Sequence, residues 1–356
     1  MATRRNVLTG LAALSLSAAL PAFAASPRLF AAARIDGKDN GAVWQAGALQ
    51  PFALPARGHA PAALPDGRVL IVGRRPGVFA ALVDENNVGA VPAILSPAGG
   101  KRFAGHGAVS PDGTALVTSE FEADSFRGAL VVRDAQGGIR TVWDPQGIEP
   151  HDLLFLDSSR VIAALGGLIK DGGVAGPAFN PGGIDSAVIE IDVTSGAVVK
   201  RHALPASYRS LSLRHLAHAN DVIVIGMQDQ DLSEPRPVVG VLQPGAEIDL
   251  LPLPDRNACD FRGYIGSVAA DRTGRYAAAA SPRGSVLGVW SIADRRWIGG
   301  LHIQDVCGLT TGANDGEFWA SSGLGDILRI TVSDAGPVIA ARWHSEAGFD
   351  NHLLRV

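Results

Sequence analysis

GHGAVSPDGTALVTSEFEADSFRGALVVRDAQGGIRTVWD, residues 105–144, carries short apolar runs broken by turn residues and shows no helical period. Residues 107–110, 115–119, 128–133 and 139–142 read as strands, the first two joined by a Pro-Asp-Gly turn. Four antiparallel strands in about 40 residues is the size of one blade of a β-propeller.

The unit recurs along the chain. It starts again at His59 (HAPAALPDGRVLIVG), His106, His151 (HDLLFLDSSRVIAAL), His215 (HLAHANDVIVIG), Gly266 (GSVAADRTGRYAAAA) and Cys307 (CGLTTGANDGEFWAS), at intervals of 47, 45, 64, 51 and 41 residues. The long interval contains GGLIKDGGVAGPAFNPGG, residues 166–183, which reads as a Gly-rich surface loop. Two pieces are left over. Residues 25–55 supply three strands without an inner one, and DNHLLRV at the C-terminus supplies one strand beginning at His352. Together they make a seventh blade, closing the ring by pairing the C-terminal strand with the N-terminal strands. Two stacked β-sandwiches are the alternative, but they leave the terminal strand without a role. The predicted fold is therefore all-β, a seven-bladed propeller over residues 25–356 with about 47 residues per blade.

Ahead of it, TRRNVLTGLAALSLSAALPAFAAS (3–26) has the twin arginine, apolar stretch and small-x-small site of a signal peptide over residues 1–24, of the twin-arginine type. The apolar stretch 7–20 is shorter than the roughly 20 residues a spanning helix needs, and no second one follows. A periplasmic protein without a membrane span in its mature form is expected. The net charge of −4 and the lack of a basic run outside the leader exclude nucleic acid and anionic membrane surfaces as expected partners. A monomer is expected.

In a propeller the first strand of each blade lines the central channel. The repeat places His59, His106, His151, His215, Gly266 or Ser267, Cys307 and His352 at matching positions around one mouth. Imidazole and thiolate are transition-metal ligands, iron or copper being the expected metals. Against this, each histidine could bond a neighbouring blade's backbone or a turn aspartate. A seven-stranded channel is also expected to be too wide for all five to reach one ion. The preferred subset is His106, His151 and His352, flanked by small or acidic residues (Gly105, Gly107, Glu149, Asp152, Asp350, Asn351) able to orient them or to ligate. Cys259 and Cys307 occupy adjacent leading loops, where an exported protein could form a disulfide; a Cys307 thiolate ligand is the other reading. Arg57, Arg102, Arg214 and Arg262 each precede an inner strand and suit an anionic ligand, or are solvated loop charges. His202, His218, His302 and His344 fall outside the aligned position and read as structural. No G-x-S-x-G elbow, H-E-x-x-H motif or phosphate-cradling loop is present.

With these motifs laid out, the chain resembles the family called domain of unknown function 1513, through GRRPG (73–77), GHGAVSPDG (105–113), GIEPHDL (147–153), LRHLA (213–217), RGYIGSVA (262–269), DVCGL (305–309) and DNHL (350–353). The resemblance implies an exported propeller linked to periplasmic iron acquisition, with periplasmic iron-uptake proteins as partners, and assigns no catalytic residue. The family pattern would have glycine in place of Glu149 and glutamate in place of Asp152, and a TEN-type acidic segment where this chain has TSEFEAD. Three functional readings follow: a periplasmic accessory or binding protein for iron or another transition metal, an interaction scaffold with structural histidines, and an enzyme acting on an anionic small molecule.

Overall fold

The computed structural model describes residues 26–169, 180, 183–252, 254 and 260–356. Among these the strands form seven antiparallel sheets arranged as propeller blades. The inner strands of blades one to six are Gly58–Ala63, Lys101–Val109, Pro150–Phe155, Leu211–Ala219, Ser267–Ala270 and Val306–Thr311. Blade seven consists of Leu29–Ile35, Lys38–Gln45 and Ala48–Ala53, completed by Gly348–Phe349 and Leu354–Arg355. Both closing segments pair with Leu29–Ile35, through Ala33 with Phe349 and Phe30 with Leu354. The predicted C-terminal strand is thus split into two short ladders, and His352 lies between them instead of opening one. In blade two the inner strand begins at Lys101, earlier than residue 107.

Position within a blade follows the apolar pattern. The second strands Val222–Asp229 and Tyr276–Ser281 are buried throughout, packed between neighbouring blades. The outer strand Gly336–His344 alternates because one face meets solvent. Aspartates set the first turns. Asp112 Oδ1 accepts from Ser110 Oγ at 2.6 Å and from the Thr114 amide at 3.1 Å, next to Gly113 at φ 71°. Where blade seven meets blade six, Trp44 packs against Trp319 and Trp343, with centroids 5.6 and 5.0 Å away.

A second regularity is invisible in the apolar pattern. The ladder between first and second strands loses register between Gly58 and Pro61, Phe103 and Gly107, Pro150 and Leu153, Leu213 and His215, and Val306 and Leu309. Each shift falls at the aligned histidine or cysteine. Only Ser267–Ala270, which carries neither, pairs without a break among these six strands. In blade seven the four residues 350–353 oppose only Ala31 and Ala32. Such bulges twist the strand and re-aim a side chain, and here they bring the imidazoles to the channel.

Phe349 is buried in the apolar cluster that contains Trp44 and Trp319. Replacing it with alanine should remove about 3–5 kcal/mol of stability, measured by denaturant unfolding. A loss below about 1 kcal/mol would show that this ladder does not hold the ring closed.

Candidate metal centre at the channel mouth

Five imidazoles from blades one, two, three, four and seven touch one another on the axis. Ring centroids are 5.0 Å apart for His59 and His106, 4.6 Å for His59 and His352, and 4.6 Å for His106 and His352. His151 and His215 extend the cluster from His106, at 4.7 and 5.7 Å. The five rings converge as the aligned turns predict, while the ligand nitrogens group by threes instead of forming one five-membered set. Ligand nitrogens come within 4.8 Å of one another in two trios, His59 with His106 and His352, and His106 with His151 and His215. The preferred subset of His106, His151 and His352 forms neither trio. Packing this close needs missing side chains nearby: a Cβ on Gly105, at φ 110°, would meet His59 Cδ2 at 2.8 Å.

The proton on each ring separates the trios. His59 Nδ1 lies 2.7 Å from Asp350 Oδ1 and His106 Nδ1 lies 3.1 Å from Asp152 Oδ1. Facing a carboxylate, each Nδ1 carries the proton, and Nε2 keeps its lone pair. His151 is the opposite case. Its Nδ1 lies 3.2 Å from Arg214 Nη2, and a guanidinium only donates, so the ring proton sits on Nε2. The nitrogens His106 Nε2 and His352 Nε2 are buried without a hydrogen-bond partner among the described residues, as are His151 Nε2 and His215 Nδ1. A carboxylate on Nδ1 with a free Nε2 is the arrangement found behind metal-bound histidine. His59 and His106 face carboxylates in this way, and His352 contributes an unpartnered Nε2 without one; His151 does not fit it.

The acids act across blades. Asp152 stands beside His151 in sequence but faces His106 of blade two, its Oδ1 3.1 Å from Nδ1, and its Oδ2 accepts the Leu216 amide of blade four at 2.9 Å. Asp350, near His352, bonds His59 of blade one, and Arg57 and Arg74 bind the same carboxylate at 2.6 and 2.7 Å. Glu149 is an ion-pair partner, not an orienter of His151. It accepts from Arg75 and from Arg214, the latter at 2.8 Å, and from the Leu168 amide at 2.9 Å. Its backbone is left-handed, φ 55°, a conformation that favours glycine; two guanidiniums and an amide give the glutamate its place here. In TSEFEAD, Glu120 is a buried partner of Arg133 at 2.8 Å within blade two.

Burial pushes the His59 imidazole down to about 4, with Asp350 opposing the shift. Burial, aided by Arg214 and His106, holds His151 well below its ordinary value; the same two neighbours act on His215, and His59 with His106 on His352. Burial also works against the Asp350 charge, but His59, Arg74 and Arg57 outweigh it and hold the carboxylate below the usual range. These four rings are thus kept neutral, the form in which imidazole ligates.

Two of the four expected arginines are elsewhere. Arg102 is exposed and donates to the Lys101 carbonyl, and exposed Arg262 lines a separate cavity with Asp229 and Arg236. Arg57 reaches the site only through Asp350, and Arg214 lines the mouth itself. Arg74, Arg75 and Arg283 line it too and were missed. They follow the second strands, whose ends pair beside the starts of the inner strands, as Gly73 does with Gly58. The signal was GRRPG at 73–77. Cys259 and most of residues 166–183 lie outside the described residues, as does the leader. Cys307 is buried, with Sγ 3.3 Å from the carbonyls of Phe349 and Asp350, and burial pushes its thiol up, away from the thiolate. Buried His202 bonds Glu190 and exposed His344 bonds Asp326.

Fold and cluster together define a seven-bladed propeller with a histidine-filled channel. The chain belongs to the family described as protein of unknown function (DUF1513), which matches residues 52–356. No curated protein matches it. Among solved structures, hydrazine synthase of Kuenenia stuttgartiensis is similar with a TM-score of 0.61 and 15% identity, over 80% of this chain and 87% of that one. A chain of a mitotic checkpoint complex is similar with a TM-score of 0.62 and 11% identity, over 98% and 91%. At such identities the likeness is one of fold. No helix among the described residues is long and apolar enough to cross a membrane.

The neutral histidines give the fold a pH dependence of definite sign. Unfolded histidine titrates near 6.5, whereas native His59 does so at about 4. Below 6.5 the unfolded chain binds protons that the native cluster refuses, so stability is complete above that pH and falls as pH drops toward 4. Denaturation midpoints of metal-free protein should be level above about pH 7 and fall steadily below about 6.5. A midpoint level from pH 7 to 4 would contradict the neutral cluster.

Proposed function

We propose that this protein binds one transition-metal ion at the channel mouth through Nε2 of His59, His106 and His352, as an exported factor in iron or copper acquisition. The observation that carries this reading is the placement of Asp350 and Asp152 on Nδ1 of His59 and His106, which leaves lone pairs turned away from the carboxylates inside a buried cluster. Hydrogen bonding to a carboxylate raises the basicity of each imidazole and fixes its orientation. Three protein nitrogens leave a coordination position for water or a second ligand. His151, with its proton on Nε2, packs against this set without joining it.

The twin-arginine-type leader supports export in the folded state, which allows a metal to be loaded before the membrane is crossed. That order suits iron, because at equal availability an all-nitrogen site prefers copper. Periplasmic iron-uptake proteins are the partners this role calls for.

Metal content of the mature, tag-free protein purified from the periplasm tests the reading. About one ion per chain is expected, falling below about 0.1 in a His59→Ala, His106→Ala double variant and in His352→Ala, and retained in His151→Gln. A folded wild-type protein without metal that also takes none up on titration would overturn the proposal and favour an interaction scaffold.

A further inference from the structure

Above the imidazoles lies a cavity of about 260 Å³, small even for a metabolite site. Arg74, Arg75, Arg214 and Arg283 line it, together with Tyr264 and Asn351, and no carboxylate does. The countercharge sits behind. Glu149 Oε1 is shared by Arg75 and Arg214, and Asp350 is shared by Arg57, Arg74 and His59. Two carboxylates against five guanidiniums leave an excess of three positive charges at the mouth.

Three of these guanidiniums differ from solvated loop charges. Side-chain exposure is only 7% for Arg214, 15% for Arg75 and 22% for Arg74. Arg214 spends Nη1 on Glu149 and Nη2 on His151, and its Nε–H is buried without a partner among the described residues. A buried donor left unpaired on a cation is costly unless an acceptor arrives. Arg283 forms no ion pair among the described residues; it lies over the Tyr264 ring, 4.4 Å from its centroid, and the Tyr264 hydroxyl is held by Asn351 Nδ2 at 3.0 Å. Planar guanidiniums converging on a small concave site match the oxygens of carboxylate and phosphate.

We infer that this arginine cup is a binding site for a small oxyanion of at least two negative charges, seated over the histidine cluster. The inference goes beyond the metal reading: His59 is the one proposed ligand that lines this cavity, whereas His106 and His352 line another. It rests on the arginines alone and stands whether or not the imidazoles hold an ion.

Calorimetric titration of the mature protein, stripped of metal and dialysed free of chelator, tests it with inorganic phosphate and with oxalate as separate probes. At least one should bind with one-to-one stoichiometry and a dissociation constant below about 1 mM at low salt. Phosphate binding alone would identify a phosphate site, and oxalate binding alone a carboxylate site. Arg283→Ala, an exposed position whose side chain touches the Tyr264 ring, should weaken the binding about tenfold while leaving the melting temperature in place. Arg262→Ala, in the separate cavity, should leave it unchanged. No saturable heat from either probe up to about 10 mM, or equal affinity in Arg283→Ala and wild type, would overturn the site. Because no metal is present, either failure leaves the metal reading to its own measurement.

Discussion

Asp350 is the group on which ring and site both depend. It lies between the two short ladders that join the C-terminus to Leu29–Ile35, and its amide donates to the Ala32 carbonyl at 2.9 Å. Its carboxylate crosses into blade one to meet Arg57, His59 and Arg74. A buried carboxylate is costly unless it is paired and hydrogen-bonded, and here the pairing exists only once the chain ends have met. Closing the ring and assembling the mouth are thereby one event.

The rest of the mouth repeats the same logic with other partners. Breaks in the ladders turn the histidines toward the axis, and the acids near His151 and His352 reach histidines of neighbouring blades, so no blade completes the cluster alone. Burial then keeps His59, His151, His215 and His352 neutral, while the arginines anchored on Glu149 and Asp350 place positive charge at the rim. A neutral nitrogen-lined floor beneath a cationic rim is chemically suited to a metal ion with its accompanying anion.

Much of the fold was legible in the sequence because turn chemistry is local. Pro-Asp-Gly and its variants mark the first turn of the blades, and their spacing counts six units before the leftover ends make a seventh. The convergence of His59, His106, His151, His215 and His352 followed from aligning those turns. Pairing of side chains was less legible. Asp152 and Glu149 stand next to His151 in sequence, yet one serves His106 and the other serves two arginines, because the bulge at Pro150–Leu153 points them into different blades. Arg102 and Arg262 sit as close to inner strands as Arg214 does, and face away. Arg74, Arg75 and Arg283 arrive from the far ends of second strands, a contribution that antiparallel pairing implies once both edges of a blade are considered.

The proposed metal would sit on three particular nitrogens of the ring. Anomalous difference maps from crystals of metal-loaded protein, collected on either side of the metal's absorption edge, test it most directly. One peak is expected, at about 2.0–2.1 Å from Nε2 of His59, His106 and His352. A peak bonded to His151 and His215 without His59, or none among the five imidazoles, would contradict it.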